Sequence, residues 1–236
     1  MTYLTIKGKI DGFGSQYLSI LSGISYCNYK NYTYVHTPFI KIAHGTDKNK
    51  ANKFIGINKI SKVNDISCNI IAHRFISEVH YSESPSIYYN DKVLDYIRKC
   101  YYSTEKPLIS GVDIAIHIRR GDVSKNKNNH RFVPNDVYLK IINKLKEKYP
   151  EYTITIFSEG KYEDFKEYNM EESCFRLNTD VFETFHSLVS SKILIIGWSS
   201  FSYCAGLINS NTVYNLDSFH HKKLDNWLNI SDLIDV

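Results

Sequence analysis

The chain has 236 residues, a length that fits one large domain or two small ones. Its 43% hydrophobic and 23% charged residues can build a core and exclude a disordered chain. The 29 Lys and Arg exceed the 25 Asp and Glu by only 4, and basic residues cluster only at Lys125 to Arg131 and Lys140 to Lys148, which points to a local anion site and away from a nucleic-acid binder.

In chain order, Tyr3–Lys9 reads as a strand, Asp11 to Gly14 as a turn, Gln16–Tyr29 as a helix and Tyr32–His36 as a second strand. Beyond Pro38 the stretch Lys41 to Lys53 is polar without a clear period and reads as a loop. Asp91–Cys100 is helical again, and Ser103 to Pro107 reads as a linker that divides the chain into lobes 1–106 and 107–236. From Gly111 onward short Ile- and Val-rich runs alternate with helix-like segments, the pattern of βαβ units feeding a parallel sheet. The predicted strands are Asp113–Ile118, Thr153–Phe157, Cys174–Leu177, Ile193–Gly197 and Thr212–Asn215. The predicted helices between them are Asn135–Lys148, Tyr162–Tyr168, Val181–Ser190 and Ser202–Ile208. The first of these helices places Val137, Ile141 and Leu145 at intervals of four and stops at Pro150. The fold class is therefore α/β, with a doubly wound parallel sheet in the C-terminal lobe.

The five cysteines, Cys27, Cys68, Cys100, Cys174 and Cys204, are odd in number and widely spaced, which argues against a disulfide framework or structural zinc. The opening residues show no basic stretch leading into an apolar one, and no run approaches the roughly 20 apolar residues of a membrane span. A soluble, cytoplasmic protein is expected. On that expectation the sequons at Asn31 and Asn229 and the Arg120-Gly121-Asp122 tripeptide are chance matches.

Four segments carry chemistry. In His117-Ile118-Arg119-Arg120-Gly121-Asp122 a buried strand runs into two guanidinium groups at its carboxyl end, where ligands of open α/β sheets bind. Arginine matches phosphate oxygens with a planar fork, and strand alternation lets only one of the two reach a ligand directly, with His117 on the face of Arg119. A plain ion pair between an arginine and Asp122 is the competing reading. Ser199, Ser200, Phe201 and Ser202 follow the run Ile193 to Ile196 at a strand-to-helix turn, where hydroxyls and helix N–H groups suit either an anion or simple capping. Asp180 with Glu183 three residues on resembles a capping box, and either carboxylate suits a ribose or base as well. Gly12, Gly14 and Gln16 form a short βα turn that fits close backbone approach to a ligand or a turn without one.

Together these segments resemble the fucosyltransferase superfamily, nearest to the α1,2-fucosyltransferases and similar to the α1,6- and protein O-fucosyltransferases. The signature H-x-R-R-x-D matches His117, Arg119, Arg120 and Asp122 in full. The G-x-G-N-Q segment is similar to Gly12 to Gln16 with Ser15 in place of Asn, and S-x-F-S-W-W-x-A is similar to Ser199 to Gly206 with Tyr203 and Cys204 in place of two Trp. The resemblance covers most of the chain outside Lys41 to Tyr101, and the chain is short for that superfamily. It implies a GT-B-like fold of two Rossmann-type lobes, the first on the acceptor side and the second holding the nucleotide sugar. It further implies an inverting, metal-independent transfer from GDP-fucose to a glycan hydroxyl, with no cofactor. By the same likeness Arg119 binds the diphosphate and Arg120 supports it. His117, Asp180 or Glu183 holds the guanosine, and Ser200 to Ser202 contact phosphate or ribose. Asp122 and Glu159 are the candidate bases, since each follows a strand end. A nucleotide-sugar-binding protein without turnover is the alternative.

Overall fold

The computed structural model describes residues 2–57, 70–216 and 219–234. Two compact units divide the chain: Met1–Lys106 with His220–Asp225, and Pro107–Phe219 with Asn226–Val236.

The first unit is built on a parallel sheet of order β2-β1-β3, from β1 (Tyr3–Ile6), β2 (Thr33–Tyr34) and β3 (Ile70–His73). The helix α1 (Phe13–Lys30) links β1 to β2 and is buried along most of its length. Gly23 makes that closeness possible, because a Cβ there would stand 2.6 Å from the Ile6 side chain and 3.0 Å from the Tyr34 ring. Both early strands are shorter than their apolar runs suggest. The polar stretch read as a loop runs into α2 (Lys48–Ile55), whose start is capped by Asp47 accepting from the amides of Asn49 and Lys50 at 2.7 and 3.2 Å. Its buried stripe is Ala51, Phe54 and Ile55, at the spacing of one helical face, and two of those three lie beyond Lys53. A short helix α3 (Ser77–His80) is followed by α4 (Asp91–Tyr102), capped by Asn90 and packed through Val93, Leu94, Ile97 and Tyr101. Gly56 takes φ +70 at the end of α2, where a Cβ would press into the Cys100 carbonyl of α4.

Segment His220–Asp225 belongs to this unit although its neighbours on both sides in sequence belong to the other. His221 is 3% exposed and its Nδ1–H donates to the His80 carbonyl at 3.1 Å. Lys222 pairs with Glu83 at 3.4 Å, and the Ser86 hydroxyl accepts from the Asp225 amide at 2.9 Å.

In the second unit the strands are β4 (Ile114–Ile118), β5 (Ile154–Ser158), β6 (Phe175–Leu177), β7 (Ile193–Ile196), β8 (Thr212–Asn215) and β9 (Leu228–Asn229). They form a sheet of order β6-β5-β4-β7-β8-β9 with every described pairing parallel. Counted within the unit this is 3-2-1-4-5-6, the order of doubly wound dinucleotide-binding folds. The helices α5 (Asn135–Lys148), α6 (Val181–Ser190) and α7 (Ser200–Ile208) cover the sheet. On one face Ile114, Ile116 and Ile118 meet Tyr138, Ile141, Ile142 and Leu145 of α5. Tyr162–Tyr168 keeps its expected bounds but winds as a 3-10 helix, and α7 starts two residues earlier than its sequence pattern suggests. Among the described residues no helix is long and apolar enough to cross a membrane. Cys68 lies outside the described residues, and Cys27, Cys100, Cys174 and Cys204 form no disulfide.

His36 in the first unit is 1% exposed, and neither ring nitrogen has a partner among the described residues. Burial pushes its pKa from 6.5 down to about 4. Between those values the unfolded chain binds the proton and the folded one does not, so stability is complete above about pH 6.5 and falls toward about pH 4. Urea unfolding across that window is expected to lose up to about 1.4 kcal/mol per pH unit from this residue. The slope should flatten in His36→Leu. An equal slope in that variant would remove His36 as the cause.

Candidate functional site

In the second unit β4, β5 and β6 are laid down toward one edge, whereas β7, β8 and β9 are laid down toward the other. The connections after β4 and β7 therefore leave in opposite directions, and the carboxyl ends of these two adjacent strands are where open α/β sheets hold ligands. His117, Arg119 and Arg120 stand at the end of β4, and Gly197 to Ser202 stand at the end of β7.

The two strands come close because Gly197 has no side chain. A Cβ there would lie 2.5 Å from the His117 carbonyl oxygen and 3.1 Å from the Tyr138 hydroxyl. Beyond it, the Ser199 amide donates back to the Gly197 carbonyl at 2.7 Å, a tight turn that starts α7. Ser199 Oγ accepts from the Phe201 amide at 3.2 Å and caps the helix, while Ser202 Oγ donates to the Gly197 and Ser199 carbonyls at 3.3 Å each. Ser199 and Ser202 are buried and used in the turn; Ser200 and Phe201, the first two residues of the helix, are half-buried.

Arg119 Nε and Nη2 donate to the two carboxylate oxygens of Asp122 at 3.2 and 2.8 Å. The ion-pair reading of the sequence is thus realised, and it uses one edge of the guanidinium fork. The other edge, formed by Nη1 and the second Nη2 hydrogen, has no partner among the described residues. The chain returns Asp122 to Arg119 through Gly121, which takes φ +74 beneath the Glu159 carboxyl group; a Cβ at Gly121 would overlap that group.

Arg120 faces the other way. Nη1 donates to the Arg119 carbonyl at 2.8 Å, Nη2 donates to the Val133 carbonyl at 2.9 Å and to Asn135 Oδ1, and the guanidinium stands 4.4 Å from the Phe132 ring centre. Burial lowers its pKa, but an arginine keeps its charge. Sequence reasoning put Arg120 among the binding residues, and in the structure both of its terminal nitrogens donate to the backbone or to Asn135.

His117 shares the Arg119 face, with its ring 5.5 Å from Phe201. Burial first, and the positive Arg119 second, push its pKa down to about 3, so it is neutral at pH 7. Its buried Nδ1 has no partner among the described residues.

Asp180 Oδ1 accepts from the Phe182 and Glu183 amides at 2.8 and 3.2 Å and caps α6, with both carboxylate residues exposed. The capping half of the expected box is therefore present. The residue before Thr179, Asn178, has φ +54 and clasps the Gly160 backbone with both ends of its amide, at 2.8 and 3.1 Å, tying the end of β6 to the end of β5. Sequence reasoning missed this clasp and the role of Gly197; an Asn directly after a strand and a Gly at a strand end were the available signals.

The first unit holds Gly12, Gly14 and Gln16. Gly12 caps α1, and Gly14 lies inside the helix, which starts at Phe13. Gln16 is 5% exposed and its Nε2 donates to the Asp11 and Lys41 carbonyls at 2.6 and 2.9 Å, so the amide fastens the turn to the following loop. Lys7, Lys9, Gln16 and Thr37 line a pocket at the end of β1. Among the described residues no group of three His, Cys, Asp or Glu is spaced to hold a metal ion.

No protein-family model matches the chain, and no curated protein matches it. Solved structures resemble it loosely. The E. coli heptosyltransferase WaaC with ADP-2-deoxy-2-fluoro heptose is 9% identical, with 97% of this chain and 92% of that chain covered and a TM-score of 0.45. POFUT1 in complex with GDP-fucose is 10% identical over 97% of both chains, with a TM-score of 0.43. The iron-containing dodecameric glycosyltransferase TibC from enterotoxigenic E. coli is 9% identical, with 96% and 63% covered and a TM-score of 0.43. Likenesses this distant assign neither a donor nor a reaction.

Gly197→Ala is expected to destabilise the second unit by about 2 kcal/mol, since the added methyl forces β4 and β7 apart. Thermal unfolding checks this. An unchanged midpoint would show that the close approach of the two strands is dispensable.

Proposed function

We propose that this chain is a glycosyltransferase whose second unit binds a nucleotide sugar in the crevice beside β4 and β7, with GDP-fucose as donor and a glycan hydroxyl as acceptor. The observation that carries the reading is Arg119. It stands at the carboxyl end of β4, where the winding of the sheet reverses, held from one side by Asp122 with the second edge of its fork available. A diphosphate oxygen pair fits that edge. As the bond to the sugar breaks, negative charge collects on the departing nucleotide, and an arginine fixed in advance stabilises that charge more than it stabilises the ground state.

The remaining roles follow from position. The start of α7 supplies backbone N–H groups and the Ser200 hydroxyl to a phosphate. Neutral His117 with its buried Nδ1 suits a hydrogen bond to a ligand and adds no charge beside Arg119. Asp180 and Glu183 expose carboxylates that suit a ribose hydroxyl or a guanine edge. Asp122 orients Arg119, and either Asp122 or Glu159 serves as base toward the acceptor. Under this reading the two units are the lobes of a GT-B-like enzyme, and the turn with Gly12, Gly14 and Gln16 belongs to the acceptor-side lobe. The transfer needs no metal and inverts the sugar carbon.

One observation favours the alternative, a nucleotide-sugar-binding protein without turnover: Asp122 already neutralises Arg119. Calorimetric titration with GDP, GDP-fucose, GDP-mannose and UDP-glucose, followed by a transfer assay, separates the two. The proposal expects selective micromolar binding of GDP and GDP-fucose with turnover, and loss of about two to three orders of magnitude in rate for Arg119→Ala with the fold intact. Wild-type turnover in that variant would remove Arg119 from the mechanism. Binding without transfer would establish the alternative.

A further inference from the structure

We infer that Asn135 and Glu167 are positioning residues of the arginine site: they hold Arg120, and through it the backbone from which Arg119 reaches the phosphate. The inference rests on the role given to Arg119 above.

Arg120 continues the apolar face of β4, the face that Ile114, Ile116 and Ile118 present to α5. A guanidinium there needs its hydrogens satisfied and its charge answered. Among the described residues no carboxylate pairs with it directly. Its donors go to the Arg119 carbonyl, the Val133 carbonyl and Asn135 Oδ1. The negative charge arrives one residue later. Asn135 Nδ2 donates to Glu167, and also to the Asp164 carbonyl at 3.0 Å. The Asn135 amide is therefore polarised between a cation and an anion, and a flipped amide would turn its NH2 toward the guanidinium. Glu167 lies on the 3-10 helix after β5, and Asn135 opens α5, so the relay joins three segments that no strand pairing joins.

The consequence for Arg119 is geometric. The bond from Arg120 Nη1 to the Arg119 carbonyl fixes the peptide between the two arginines. Gly121 with φ +74 then turns the chain so that Asp122 meets Arg119. Rotation of that one peptide would carry Gly121 and Asp122 away from Arg119 and so release the guanidinium from its orienting carboxylate. Arg120 holds the peptide only while its other terminal nitrogen is held in turn, by the Val133 carbonyl and by Asn135 with Glu167 behind it.

The test uses Asn135→Ala, Glu167→Ala and Glu167→Gln in the full chain. Glu167 is exposed, so its variants fold even where Asn135→Ala does not. Gln keeps an acceptor oxygen for Asn135, and Ala does not. Hydrogen exchange without ligand is read on peptides covering 119–134, with 193–208 as the internal control. Exchange in the first segment is expected to speed up about tenfold in both Ala variants and to return toward wild type in Glu167→Gln, with the control unchanged. Calorimetry with GDP is expected to show affinity weakened about tenfold or more in the Ala variants and partly restored by Gln, which keeps the acceptor oxygen and loses the charge, as a misplaced contact group would give. Unchanged exchange overturns the relay. Faster exchange with wild-type GDP affinity overturns the positioning role. A wild-type chain that binds no nucleotide overturns the proposed function and the positioning role with it, and the ligand-free exchange shows separately whether the relay exists.

Discussion

The second unit depends on the close parallel pairing of β4 with both of its neighbours at the point where the winding of the sheet reverses. Five residues of β4 pair with β5, but only Ile114 to Ile116 pair with β7. Past Ile116 the two strands part, and Gly197 sets how near they stay, because its α-carbon faces the His117 carbonyl. Polar groups at the end of β4 consequently have no ladder to join on that side. Each must find a side chain, a turn or a ligand.

The sheet answers this need with cross-braces between the loops at its carboxyl edge. Asn178 joins the end of β6 to Gly160 after β5, and Asn135 joins the 3-10 helix after β5 to Arg120 after β4. Both asparagines use their acceptor and their donor, which a carboxylate or a hydroxyl in the same place would not do as well. Hydrogen bonds to a charged partner contribute about 1.5–3 kcal/mol each, so the bonds around Arg120 offset much of the cost of placing a guanidinium beside the core. A rigid edge follows, and a rigid edge is what an anion site with a single available arginine fork requires.

How far the sequence could be read depended on how much of each element's burial a local pattern expresses. Strands buried on both faces appear as short continuous apolar runs, and Ile114 to Ile118, Ile154 to Phe157 and Ile193 to Ile196 were readable for that reason. The first unit was less so. The apolar stripe of α2 is three residues long, and a window closed at Lys53 excludes Phe54 and Ile55. The return of His220–Asp225 to the first unit rests on contacts from His221 to His80 and from Asp225 to Ser86, more than a hundred residues apart, which no local pattern reports. At the site, the adjacent arginines and their alternation were legible. The division of labour between them was not, because it depends on Val133, Asn135 and Glu167 arriving from other segments.

The pairing of Arg119 with Asp122 at first counts against an anion site, since a carboxylate at 2.8 Å cancels charge that a phosphate would use. The geometry changes that balance. Both partners are partly open to water, with 22% and 32% of their side chains exposed, so the pair contributes little to stability, about 1 kcal/mol or less. What it contributes is direction. An unpaired arginine on a turn samples many rotamers, and ordering it on binding costs about 1.5–2 kcal/mol. Asp122 imposes that order beforehand through the side of the fork nearest the chain and leaves the far side outward. On the proposed reading a dianionic ligand brings more charge than one carboxylate removes, so the arrangement gives up some attraction and gains a fixed donor pair for the departing nucleotide.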